Sequence, residues 1–169
     1  MTEARHSEHG ITLIEMMIVT LLIALMAGIS FPAVSAGLES MRLNSAARGI
    51  SSLLNAGMNR AERREEVVEF LVAPADNKIR ARSLNGAFDR QLTLPDGVTI
   101  AGVLPAPIAA GGSVPNPPRD FILYPGGATP AIGVLLKNRR GDERQVQVDP
   151  ITGVPTVTNP TPQKEEDSQ

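Results

Sequence analysis

The chain has 169 residues, 42% hydrophobic and 20% charged, an ordinary globular balance that suggests one domain and makes neither disorder nor a polytopic membrane protein the default. Its formal net charge of -2 provides no global basic field, which argues against bulk electrostatic binding to nucleic acid as a main activity. There is no cysteine, hence no disulfide framework, thiol nucleophile or thiolate metal site. Both histidines, His6 and His9, lie in the first ten residues. If residues 1–10 are removed, the remaining chain has neither His nor Cys, which excludes Ser/His/Asp and Cys/His catalysis and removes the usual zinc ligands.

Charge is distributed unevenly. Between Glu15 and Glu39 no side chain is charged, whereas charges recur every few residues thereafter. The segment from Ile11 to Leu38, ITLIEMMIVTLLIALMAGISFPAVSAGL, is about 42 Å long as a helix, against a hydrocarbon core of roughly 30 Å. Three readings fit it. An ordinary membrane anchor accounts for the length but not for a carboxylate on the fifth apolar-run residue. A cleavable secretory signal accounts for Val34-Ser35-Ala36, yet the apolar stretch is longer than the roughly 7–15 residues of such signals.

The third reading takes Gly10-Ile11-Thr12-Leu13-Ile14-Glu15 as a unit, and here the sequence resembles the type IV prepilin family. The resemblance implies a short leader, residues 1–10, cut after Gly10 by prepilin peptidase, with N-methylation of the new terminus at Ile11. Glu15 is then the fifth residue of the mature chain and Pro32 the twenty-second, both characteristic family positions. Two departures stand out: Ile11 replaces the commoner Phe, and the leader MTEARHSEHG sets Arg5 against Glu3 and Glu8 and so lacks a positive excess. Physically, a carboxylate in hydrocarbon costs ~2.5–3.5 kcal/mol or more unless paired or protonated. Cleavage would create its partner, because the free amine of Ile11 is largely cationic at neutral pH. The filament model implied by the resemblance pairs Glu15 of an incoming subunit with that amine on its neighbour; pairing within its own chain or reaching water at the interface is the alternative. Pro32 removes a backbone donor and crowds the preceding turn, so it is expected to kink or loosen the helix, with Gly28 and Ser30 adding to the weakness.

Beyond the apolar segment, Leu43, Ala46, Ala47, Ile50, Leu53, Leu54, Met58 and Ala61 recur at steps of three and four, which predicts an amphipathic helix over 39–65, ending near Arg64. The run from Arg60 to Glu66 reads as its solvated end. The period then falls to two, predicting strands at 66–72, 78–83, 90–94, 98–103, 120–124, 131–137, 144–148 and 154–158. Turns are expected at Pro95-Asp96-Gly97, Pro125-Gly126-Gly127, Asn138 to Gly141 and Asp149 to Gly153. The stretch from Leu104 to Arg119 is too rich in proline for a central strand and reads as a long loop. Residues 159–169 read as a disordered tail.

The expected fold class is therefore α+β: a long N-terminal helix, transmembrane in its first half (11–38) and amphipathic in its second, packed on a small antiparallel β head over 66–158. This order resembles the H-type minor pseudopilins of type II secretion and the FimT-type minor pilins of type IV pili. The resemblance implies a structural subunit of a hetero-oligomeric filament in a bacterial inner membrane, single-pass, with its head in the periplasm. Its partners would be other pseudopilins or pilins, the prepilin peptidase and an inner-membrane assembly platform. No enzyme activity, cofactor or metal is expected: no GxxxxGK loop or GxSxG elbow occurs, and Asp142, Glu143 and Asp149 read as turn residues. Lys137, Arg139, Arg140 and Arg144 form a possible basic tip, but Asp142 and Glu143 are interleaved and no aromatic accompanies them, so nucleic acid is not an expected partner.

Overall fold

Helix-period and strand-period segments divide the chain as their spacing predicts. A computed structural model describes residues 11–105 and 116–160, and only the backbone of residues 29–33. The expected leader, most of the proline-rich loop and most of the tail lie outside the described residues. The order is α1 (Leu13–Arg64), β1 (Val68–Ala73), β2 (Lys78–Ser83), β3 (Asp89–Thr93), β4 (Val98–Leu104), β5 (Arg119–Leu123), β6 (Gly133–Asn138), β7 (Glu143–Val148) and β8 (Pro155–Thr158). The chain forms two compact units, Met1–Leu38 and Glu39–Gln169.

In the second unit the helix buries one stripe. Leu43, Ala47, Ile50 and Leu54 are at most 1% exposed, and Ala46, Leu53 and Ala61 are also buried. Small residues in that stripe allow close approach to the strands: a Cβ placed on Gly57 would meet Leu123 at 3.4 Å and Val68 at 3.6 Å. The helix ends where Glu65 takes a left-handed conformation (φ 53), the usual stop, although one that glycine adopts at less cost. Glu66 then turns back and accepts hydrogen bonds from Arg60 Nε at 2.8 Å and Nη2 at 3.1 Å. The first strand consequently begins at Val68, two residues later than its period suggests.

The strands form two antiparallel four-stranded sheets, ordered β3-β2-β1-β5 and β4-β6-β7-β8. In the first, β1 is central and contributes Val68, Phe70 and Val72 to the core; in the second, β6 and β7 contribute Val134, Leu136, Val146 and Val148. A register shift lies between Ile100 and Gly102 of β4, and the carbonyl of Ala101 there accepts a hydrogen bond from Asn116 Nδ2 at 2.7 Å. Asn77, left-handed at φ 51, ties the sheets together: its carbonyl accepts from Leu94 N and its side-chain oxygen from Ile100 N at 3.2 Å. At Tyr124-Pro125-Gly126-Gly127 the amide of Gly127 donates to the carbonyl of Tyr124, and Gly126 has φ 62. Proline followed by a positive-φ glycine is the chemistry of a type II turn.

Candidate functional site

At the start of α1, Thr12 precedes the first helical residue, and its Oγ1 accepts a hydrogen bond from the Glu15 amide at 3.3 Å. Thr12 is thus the N-cap and Glu15 the third helical residue, the T-x-x-E arrangement of a capping box. Glu15 also places negative charge in the first turn, where the helix dipole favours it. Thr12 is a functional residue beyond those expected from the sequence, although a Thr at i and a Glu at i+3 directly ahead of an apolar run signal it. Further along, Thr20 donates its hydroxyl to the carbonyls of Met16 (2.9 Å) and Met17 (3.0 Å), so the other polar group of this stretch is satisfied inside the helix.

Every described side chain from Ile11 to Gly28 is exposed. Leu13 (78%), Met26 (70%) and Leu21 (68%) point in different directions around the axis, and apolar residues on all sides mark a helix meant for apolar surroundings rather than for one packing face. Covering the large apolar side chains from Ile11 to Met26 would be worth on the order of 20 kcal/mol. Among the described residues no helix is long and apolar enough to cross a membrane. The described side chains of this arm are interrupted after Gly28 and resume at Val34, so the unbroken run falls short of the ~20 residues that a span takes. Pro32 lies within α1, but residues 29–33 are described by backbone alone, so its expected kink lies outside the described side chains.

Residues 5–31 match the prokaryotic N-terminal methylation motif. The chain carries a type IV pilin-like signal. The matched segment contains Gly10, Ile11 and Glu15 and stops one residue before Pro32. It implies a pilin-like protein that is processed by prepilin peptidase, anchored at a membrane and assembled with other pilins. No curated protein sequence and no solved structure matches the chain. Ile11 is 72% exposed, and Glu15 is exposed four residues on.

The basic turn between β6 and β7 is built around buried Asn138. Its side-chain oxygen accepts from the amides of Arg140 (3.0 Å) and Asp142 (2.8 Å), and its Nδ2 donates to Asp142 Oδ2 at 2.8 Å. The structure separates the four cations. Lys137 pairs with Glu143 at 3.1 Å, and Arg144 donates from Nε to Asn44 of α1 at 3.1 Å. Only Arg139 and Arg140 remain on the exposed turn, and Arg139 packs beside Gly97. The acids of these turns are engaged as well. Asp149 Oδ1 accepts from the Ile151 amide at 2.8 Å, and that bond, with those from Thr152, holds its pKa below the usual carboxylate value. Among the described residues no group of His, Cys, Asp or Glu is placed to hold a metal ion.

Proposed function

We propose that the chain is a minor pseudopilin of a type II secretion pseudopilus: a non-enzymatic subunit cut between Gly10 and Ile11, N-methylated on Ile11, and assembled through its N-terminal helix. The observation that carries this reading is the methylation motif, which frames an arm apolar on every side whose one carboxylate is the fifth residue beyond the cut. Residues 11–38 serve as inner-membrane anchor before assembly and as filament core afterwards, with the head in the periplasm. The Glu15 amide donates to the capping hydroxyl of Thr12, which leaves its carboxylate to pair with the amine of a neighbouring Ile11. Pro32 is the compliant point of the arm. Other pseudopilins, the prepilin peptidase and an inner-membrane assembly platform are the partners.

The experiment is intact-mass analysis of the chain coexpressed with a prepilin peptidase. The mature protein should begin at Ile11 and carry one added methyl group; a start at Gly37 would assign it to ordinary signal peptidase instead. Replacing Gly10 with a bulky residue should leave the precursor in the membrane, and normal-size product from that variant would sink the peptidase assignment. Glu15→Ala should be processed yet assemble poorly, and unimpaired filament incorporation would remove the charge-pairing role.

The second reading is a FimT-like minor pilin of a type IV pilus, in pilus biogenesis, adhesion or DNA uptake. Exposed Arg139 and Arg140 favour it; the engagement of Lys137 and Arg144 weakens a cooperative phosphate-binding tip. Crosslinked partners separate the two: pseudopilins and secretion-platform proteins in one case, pilus subunits in the other.

A further inference from the structure

Gly49, Ser52, Ala56, Asn59 and Arg63 follow one another at steps of three and four, so they form one flank of α1. Alongside runs β3, a free edge of the first sheet. The groove between them has two adjoining parts that share Arg90. One, of about 500 Å³, is lined by Gly49, Ser52, Leu53, Gln91 and Leu92; the other, of about 330 Å³, by Asn59, Arg60, Arg63, Arg64 and Phe88. The helix and strand run in opposite directions, since Leu92 lies against Gly49 while Phe88 lines the groove with Arg63 and Arg64.

Charge is sorted along this groove. Among the described residues no carboxylate lines either part, because helical spacing carries Glu62 to another flank, beside Leu123 and Tyr124. Arg60 is engaged with Glu66, whereas Arg63, Arg64 and Arg90 form no ion pair among the described residues. Arg90 is held over the Phe88 ring, 5.7 Å from its centre. One end of the groove is therefore cationic, and the end at Gly49, Ser52 and Leu92 is uncharged.

We propose that this groove receives the segment following β8, residues 159–167, of a second copy of the chain. That segment is uncharged from Asn159 to Gln163 and then carries Lys164, Glu165, Glu166 and Asp167, a neutral-then-acidic order matching the groove. The lengths agree: Gly49 to Arg63 spans ~21 Å of helix, and residues 161–167 cover ~23 Å when extended. Laid from the neutral end to the arginine end, the segment runs antiparallel to β3, the direction in which a strand adds to an antiparallel edge. A polynucleotide fits less well, because phosphates recur along its whole length while the part at Gly49, Ser52 and Leu92 has only the shared Arg90 as a cation.

The same chain's segment falls short. It leaves β8 beside β7, whose Arg144 reaches Asn44, whereas Arg42 faces Asp96 on the groove side. From Asn44 to Arg63 the helix rises ~28 Å, nearly all of the ~30 Å that residues 159–167 can span, with nothing left for passing round the helix. The proposal rests on the head alone and stands whichever filament the chain serves.

The test is fluorescence anisotropy of a labelled peptide with the sequence of residues 159–169, titrated with the full chain in detergent micelles. Binding should weaken about tenfold when Arg63→Glu and Arg90→Glu are combined, as expected for lost rim ion pairs. A peptide carrying Glu165→Lys, Glu166→Lys and Asp167→Lys should fail on the wild type and recover on that double variant. If the double variant does not fold, failure of the lysine peptide on the wild type still supports the site. Equal binding of both peptides, or of neither, would overturn it. Binding that appears only after residues 159–169 are deleted from the protein overturns exchange between copies, and displacement by a 20-nucleotide single strand that binds more tightly reassigns the groove to phosphate.

Discussion

One helix serves two solvents. In its first part, Leu13 and Leu25 are 78% and 61% exposed; in its second, Leu43, Ile50 and Leu54 are at most 1% exposed. Both parts are rich in apolar residues, so hydrophobicity alone does not separate them. What differs is spacing: apolar side chains surround the axis from Ile11 to Met26, but from Leu43 to Ala61 they return every three or four residues. A stripe finds its partner within the chain, whereas an apolar cylinder needs lipid or neighbouring helices. The head is therefore a folding unit and the arm an assembly element.

The sharpest way to break this contrast is to delete apolar mass from each part. Phe70→Ala should cost the head about 3–5 kcal/mol in denaturant unfolding, while Leu22→Ala should leave the same transition unmoved. A matching loss from Leu22→Ala would show that the arm belongs to the folded core. Asn138→Ala, which strands the amides of Arg140 and Asp142 in the β6–β7 turn, should cost about 1–3 kcal/mol, read from the unfolding midpoint. Thr12→Val should speed amide exchange at Glu15 through loss of a cap worth about 1 kcal/mol, with Thr12→Ser restoring protection and neither change altering the head's midpoint.

The smallest effect expected is on pH dependence. The hydrogen bond from Arg60, then that from Asn85, holds the Glu66 carboxyl below its ordinary value of 4.5. The folded head thus binds this proton less readily than the unfolded chain. The contribution is complete above the ordinary value and disappears as pH falls through the lowered one. Head stability followed from about pH 6 to pH 3 should fall less steeply in Glu66→Gln than in the wild type; identical slopes would show that the half-buried Arg60–Glu66 pair adds nothing.

Much of the fold was readable because period and punctuation are local. The stripe from Leu43 to Ala61 foretold the buried helix face, and all eight strands stand within two residues of their expected limits, the starts at Val68 and Gly133 being the most delayed. The methylation motif over residues 5–31, within which Gly10, Ile11 and Glu15 fall, was readable because a processing signal is itself a linear object. Thr12 was readable too, though only to an eye on capping rather than on the membrane. Arg144 was not: its sequence neighbours placed it on a basic tip, but its partner, Asn44, lies a hundred residues away.

By itself the sequence determined the apolar arm, its lone carboxylate, the amphipathic half of the helix and the positions of the strands, since each depends on side chains a few residues apart. Only the tertiary structure decided that the strands divide into two sheets, that β5 returns to pair with β1, that the arginines of the β6–β7 turn part company, and that a groove runs from Gly49 to Arg63 beside β3. Those outcomes depend on which distant surfaces exclude water together, and no local spacing encodes that choice.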